Sequence, residues 1–199
     1  MKIKIYIILG ILLFIILNCT NPFSTRSPED PLISGNDQIS NLQTDPDSLL
    51  SKLRRSFILQ DITDYQECLS DSFQVGKNMV FIPENREMSR MVNWSLQDEK
   101  NYFNQLVNSG DLQKITIIFF DQLSWNNTPP TSVDTMETYF SYQMTFEFRT
   151  KIEYFQGRSL IKILRSQSSL WYIFYWQDFR LNANDQHDTW STLKANYRY

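Results

Sequence analysis

The sequence predicts an α+β domain, and three observations predict it. Apolar residues recur at helical spacing only before about residue 110, and at strand spacing after it. Tyr139 to Arg149 alternates strictly, with Phe140, Tyr142, Met144, Phe146 and Phe148 on one face and Ser141, Gln143, Thr145, Glu147 and Arg149 on the other. Residues 46–199 hold no internal repeat or second proline-rich break, so one core is expected, able to bury roughly 70% of its unfolded surface. Helices gathered first and strands afterwards indicate segregated α+β packing rather than alternating βαβ units.

The N-terminus is not part of that core. Met1-Lys2-Ile3-Lys4 precedes an apolar run from Ile5 to Leu17, broken only by Gly10 and followed by Asn18-Cys19. Basic residues ahead of a short apolar stretch form a secretory signal. The run falls short of the roughly 20 residues that cross a bilayer, and polar Thr20-Asn21-Pro22 follows instead of basic stop-transfer residues. Residues 1–18 are therefore expected to be a signal peptide. Residues 20–45 are dominated by Ser, Thr, Asn, Asp and Pro without a period, which predicts a flexible tether spanning roughly 25 to 30 Å.

Ile16-Leu17-Asn18-Cys19 resembles the lipobox of bacterial lipoproteins, with Asn18 where Gly, Ala or Ser is usual. The resemblance implies cleavage before Cys19, acylation (palmitate among the chains) of its thiol and new amino terminus, and export to the cell envelope. With Thr20 rather than Asp after the cysteine, it implies the outer membrane, facing the periplasm. Several acyl chains, at about 0.8 kcal/mol per buried methylene, anchor a protein without a polybasic patch. Without Lys2 and Lys4 the chain has 17 basic and 22 acidic side chains, a balance of -5, so anionic headgroups would repel it mildly. Cys68 is then the single unmodified thiol, expected as an inert buried residue on a helix.

Asp45-Pro46-Asp47 starts a helix with a side-chain cap and Pro in the first turn, and Leu49, Leu50, Leu53, Phe57 and Ile58 continue it. Lys52, Arg54 and Arg55 are expected on its solvated face. A second helix from Asp61 buries Ile62, Tyr65, Cys68 and Leu69. Ser95-Leu96-Gln97-Asp98 is a capping-box pattern opening a third helix, with Tyr102, Phe103, Leu106 and Val107 on its apolar side and Gly110 at its end. Strands are expected over 114–125, 139–149, 158–166 and 170–181, the last three forming a meander with turns at Gln156-Gly157 and Gln167-Ser168-Ser169. In the final strand both faces are apolar. Trp171 and Ile173 are expected to face the helices, and Phe174 and Trp176 to meet a C-terminal tail around Trp190 or a second subunit.

This order of elements, with Tyr65 to Phe73 in the helical half and Trp171-Tyr172-Ile173-Phe174-Tyr175-Trp176-Gln177-Asp178 closing the sheet, resembles the cone-shaped, cystatin-like α+β roll shared by ketosteroid isomerase and nuclear transport factor two. The resemblance covers about residues 46–181. It implies a curved sheet around helices and a pocket at the open end of the cone, in a superfamily of isomerases, dehydratases, ligand-binding modules and partner-binding proteins. His187 to Lys194 resembles the ends of exported lipoproteins of this fold without assigned activity.

Composition excludes several chemistries. Near-balanced charge without a Lys/Arg block gives no reason to expect nucleic acid. Two Cys, one His and the absence of a His-Glu-x-x-His pattern supply no metal site, no Gly-x-Ser-x-Gly elbow is present, and the glycines are isolated, so no cofactor is expected. An isomerase or dehydratase of this superfamily needs a carboxylate base and a Tyr donor. Tyr142, Tyr172, Tyr175 and Asp178 are available, but Asp178 shares its face with Phe174 and Trp176 while Tyr175 points the other way, so those two cannot converge. Asp178 is expected to mark a strand end and His187 to lie in a solvated loop. Thirteen aromatics between Tyr139 and Leu181 fill a core or line a site for an apolar or sugar-like ligand, with Phe103, Tyr142, Phe146, Trp171 and Tyr175 as its expected lining. The outer sheet face would suit a homodimer or partner. The expected function is a non-catalytic small-ligand or protein-binding module held at the membrane by lipid, with a pocket enzyme as the alternative.

Overall fold

The computed structural model describes residues 43–121, 124–127 and 134–198; Cys19, the expected signal peptide and residues 20–42 of the expected tether lie outside them. Helix α1 (Pro46–Leu59) starts with Asp45 accepting from Ser48 N and leaves through Gln60 at φ 56. Helix α2 (Ile62–Glu67) is capped by Asp61, and α3 (Ser72–Val75) by Asp71. Helix α4 (Leu96–Val107) carries the expected reciprocal box between Ser95 and Asp98. A last helix, α5 (Trp190–Asn196), stands where a tail was expected.

The strands are β1 (Val80–Ile82), β2 (Leu112–Phe120), β3 (Asn126–Asn127), β4 (Thr135–Phe148), β5 (Ile152–Arg165) and β6 (Trp171–Phe179). They form one sheet in the order β1-β6-β5-β4-β2, with β3 also on β4 and β1 parallel to β6. The sheet is curved and unclosed, and the helices pack on its inner face. Leu49, Leu50, Leu53, Phe57, Phe103 and Leu106 from the helices join Ile117, Phe140, Met144, Ile163 and Ile173 in one buried core. Among the described residues, no helix is long and apolar enough to cross a membrane.

Three expectations are corrected. Gln156-Gly157 is not a turn: β5 runs through it, and the hairpin closes earlier, where Phe148 N donates to Lys151 O at 2.9 Å. Gly157 pairs with Tyr142 and leaves room for that phenol, so its lack of a side chain serves close approach rather than a bend. In β6 the register steps from Lys162↔Tyr175 to Ile163↔Ile173, which leaves Phe174 in a bulge. Ile173 and Trp176 are therefore both fully buried, while Phe174 does not meet the tail and instead carries the Lys77 ammonium 4.0 Å above its ring. Finally, the basic face of α1 is solvated only in part: Arg54 is exposed as expected, but Lys52 is not. Lys52 is buried and bonds Glu67 at 2.5 Å and Gln43 at 3.1 Å, Arg55 pairs with Asp64, and Arg54 donates to Ile117 O. Buried Gln43 also accepts, through its carbonyl, from Trp171 N at 2.8 Å, so packing begins ahead of Pro46.

Candidate functional site

The inner wall of the cone is built by three adjacent strands. Tyr142 on β4 reaches across Gly157 on β5, and its hydroxyl donates to Asp178 Oδ1 on β6 at 2.7 Å. All of this is buried, so Asp178, which stands at the end of β6 as expected, is also an interior carboxylate. The expected divergence of Asp178 and Tyr175 holds: Tyr175 lies on the outer face and donates to Gln177 at 2.7 Å. The partner missed in the sequence was Tyr142, and the signal for it was a glycine inside an otherwise β-forming segment.

Helix α5 is seated on this pair. Trp190 N donates to Tyr142 Oη at 2.7 Å, and Ser191 donates to Asp178 Oδ2 from its N at 2.7 Å and its Oγ at 2.6 Å. Two first-turn N–H groups thus find acceptors in the sheet. The Trp190 indole stands edge-on to Trp176 at 4.5 Å, Tyr142 at 5.0 Å and Phe57 at 5.2 Å. One turn on, Lys194 Nζ bonds Glu99 Oε1 at 2.5 Å, both side chains being fully buried. The same ammonium lies 3.5 Å from the Phe81 ring centroid and 3.9 Å from that of Trp176. Glu99 also accepts from Tyr65 Oη at 2.5 Å and Trp94 Nε1 at 2.7 Å, and Tyr65 meets Tyr102 at 2.8 Å.

Burial sets the electrostatics here. It raises the pKa of Asp178, against the Ser191 and Tyr142 hydrogen bonds that favour the carboxylate. It lifts the Tyr142 phenol well above the usual range, helped by the Asp178 charge, and lifts Tyr65 and Tyr102 likewise, with Glu99 beside them. Burial lowers Lys194 to about 8 although Glu99 opposes the shift. Cys68, fully buried as expected, has its thiol pushed up by desolvation, which disfavours the reactive thiolate.

A phenol whose folded pKa exceeds its unfolded value near 10 contributes stability that is lost as pH rises, because only the unfolded chain then sheds the proton. Lys194 acts oppositely between about 8 and its unfolded 10.5, where only the unfolded chain holds the proton, and adds no slope above that. Above about pH 10.5, stability should fall by roughly 1.4 kcal/mol per pH unit for each of Tyr65, Tyr102 and Tyr142. An ultraviolet titration should show these three ionising only within the unfolding transition. Their ionisation in the folded protein would refute the packing described.

The residues expected to line a pocket do not surround a common space. Phe103 stacks on Tyr65 at 4.0 Å, Phe146 meets Phe155 edge-on at 5.5 Å, and Trp171 is buried with its N–H on Gln43. Tyr142 is committed to Asp178, and Tyr175 lies on the opposite face of the sheet. A groove of about 340 Å³ opens instead along the outer face, lined by Gln143, Thr145, Tyr154, Gln156 and His187 together with Met144 and Phe155. His187 Nδ1 lies 2.6 Å from Asp185 Oδ1 and 2.8 Å from Gln156 Nε2. The His187 N–H and ring hold the Asp185 carboxyl down to about 2, while the ring itself is 60% exposed. The segment is latched by Arg180, which pairs with Glu84 at 2.9 Å and donates to the carbonyls of Asp185 and His187. Among the described residues no cluster suits a metal ion.

No protein-family model matches the chain, and no curated protein matches it in sequence. Solved structures match it in fold. An NTF2-like protein of unknown function in nutrient uptake from Rhodospirillum rubrum superposes with a TM-score of 0.52 and 12% identity, over 69% of this chain and 99% of that one. A nuclear transport factor 2-like superfamily protein from Salmonella enterica gives 0.51 at 14% identity, over 69% and 90%. A naphthalene 1,2-dioxygenase with indole in its active site gives 0.55 at 13% identity, over 76% and 85%. Identities this low show the fold alone, and it is the expected one: a nuclear transport factor two-like cone, used by enzymes and by proteins of unknown function alike.

Proposed function

We propose that this nuclear transport factor two-like chain is a lipid-anchored, non-catalytic binding module of the cell envelope, held through Cys19, whose ligand is taken in the outer groove and not inside the cone. The carrying observation is that the cone holds Trp190 and Lys194 of the same chain. Asp178 and Tyr142 have the chemistry of a base and donor, but both carboxylate oxygens already accept, and Tyr142 Oη both donates to Asp178 and accepts from Trp190 N. That argues against the pocket-enzyme alternative. The groove offers two amides, a hydroxyl and the exposed ring of Tyr154, a set that suits a neutral polyhydroxylated ligand better than a charged one.

Soluble oligosaccharides of glucose and of N-acetylglucosamine, titrated into the mature chain and followed by NMR, should shift Gln143, Tyr154, Gln156 and His187. Tyr154→Ala should weaken that binding at least about tenfold, or about 1.4 kcal/mol. Shifts centred on Tyr142 and Trp190, or turnover lost in Asp178→Asn, would favour the enzyme. For the anchor, Cys19→Ala should release the protein from bacterial membranes or leave it uncleaved. An intact mass with unmodified Cys19 at the mature terminus would defeat it.

A further inference from the structure

We propose that the tip carrying Phe73 is a membrane-interface contact that orients the domain with its outer groove away from the bilayer, an inference that rests on the lipid-anchored reading. Phe73 is 99% exposed, more than any other large apolar side chain among the described residues. Scattered apolar surface residues are ordinary, but this one is held on a braced tip. Asp71 accepts from Phe73 N and Gln74 N at 2.9 Å, Ser72 N donates to Asn78 at 2.8 Å, and Gly76 turns the chain at φ 72. Met79 N closes the base on Ser70 O at 2.9 Å. None of these bonds uses the ring. The backbone is therefore fixed so as to present a phenyl group to solvent.

The tip stands near Gln43, the first described residue of the domain. Trp171 N donates to Gln43 O at 2.8 Å, and two residues along β6 Ser70 N donates to Ile173 O at 2.9 Å. Gln43 Nε2 also donates to Glu67 O at 2.7 Å, on the segment that leads into the tip. A lipid at Cys19, joined to Gln43 through the expected tether, would keep this end of the domain within a tether's length of the bilayer, where an apolar tip can decide the orientation. The groove lies at the other end: Leu164 pairs with Tyr172 beside the tip, and Gln156 lies further along β5 by on the order of 26 Å at about 3.3 Å per residue. Lys77 is engaged with the Phe174 ring and Asp71 caps the tip, so insertion is apolar and does not call for anionic lipid.

The test is reconstitution of the acylated mature chain in phosphatidylcholine vesicles, with an environment-sensitive fluorophore on Phe73→Cys or, separately, on Tyr154→Cys. Cys68 is buried and should not react. The label at 73 should be blue-shifted and quenched by headgroup-nitroxide lipid, and the label at 154 should not. Equal quenching at both positions, or none at 73, overturns the proposal. Intact mass reads the anchor separately. Should Cys19 prove unacylated, the unacylated chain is sedimented with the same vesicles: Phe73→Ser should lower its binding on the order of tenfold, and equal binding of the two chains overturns the tip.

Discussion

Truncation after Leu181 is expected to abolish the cooperative thermal transition and leave a chain that binds hydrophobic dye. The cut removes Trp190, Leu193 and Lys194, all fully buried. Loss of one buried Trp costs about 3 to 5 kcal/mol. Breaking the Lys194–Glu99 pair leaves a buried carboxylate without its counter-charge, and a broken buried pair costs about 3 to 5 kcal/mol more. Together with Leu193 these losses approach the 5 to 15 kcal/mol that typically separates folded from unfolded chains. Point variants divide the effect: Trp190→Ala should lower stability by about 3 to 5 kcal/mol, while Lys194→Met paired with Glu99→Leu should cost far less than Lys194→Ala alone. A truncated chain with an unchanged transition and no dye binding would mean that the helix contributes nothing to the core.

Gly157→Ala should be the most damaging single-methyl addition in the sheet. Its Cβ would fall 2.6 Å from Phe179 O and 2.8 Å from Tyr142 Cζ, and one of these neighbours is backbone. Either β5 and β6 part, or the phenol swings away from Asp178. Overpacking costs about 1 to 3 kcal/mol, and a buried carboxylate that loses a donor costs about 1 to 3 more. At roughly 2 to 4 °C per kcal/mol, the midpoint should drop on the order of 10 °C in thermal melts followed by circular dichroism. Tyr142→Phe added to Gly157→Ala should recover part of the loss by relieving the crowding at the hydroxyl. Were Gly157→Ala as stable as the parent, the three-strand arrangement of Tyr142, Gly157 and Asp178 would be wrong.

What was legible in the sequence was local. Asp45 with Pro46 and Ser95 with Asp98 announce helix starts because a cap is chemistry between residues three apart, and both stand where expected. The period of two in β4 fixed its inner face for the same reason. What was not legible depends on register. Period alone puts Asp178 on the inner face but does not reveal that a tyrosine two strands away ends opposite it. Gly157 looks like a turn until its cross-strand neighbour is known, and the bulge at Phe174 shifts face assignments by one residue. The groove draws its lining from two strands and the His187 loop. The contact of Trp176 with a tail around Trp190 was legible, but short polar residues such as Asn182 and Asp185 gave no sign that the tail is a helix, and Lys194 is explained only by Glu99 on the other side.

The position of α5 also sets the order in which the molecule can be completed. Lys194 meets a partner 95 residues earlier in the chain, and Ser191 one 107 residues earlier. During synthesis the helices and most of the sheet are made while the space for Trp190 is still empty, and contacts of such long sequence separation form slowly. A nascent chain is therefore expected to stay loosely folded until α5 arrives. The same dependence makes α5 a checkpoint: a copy that stops before Trp190 lacks its keystone and is left open to proteases.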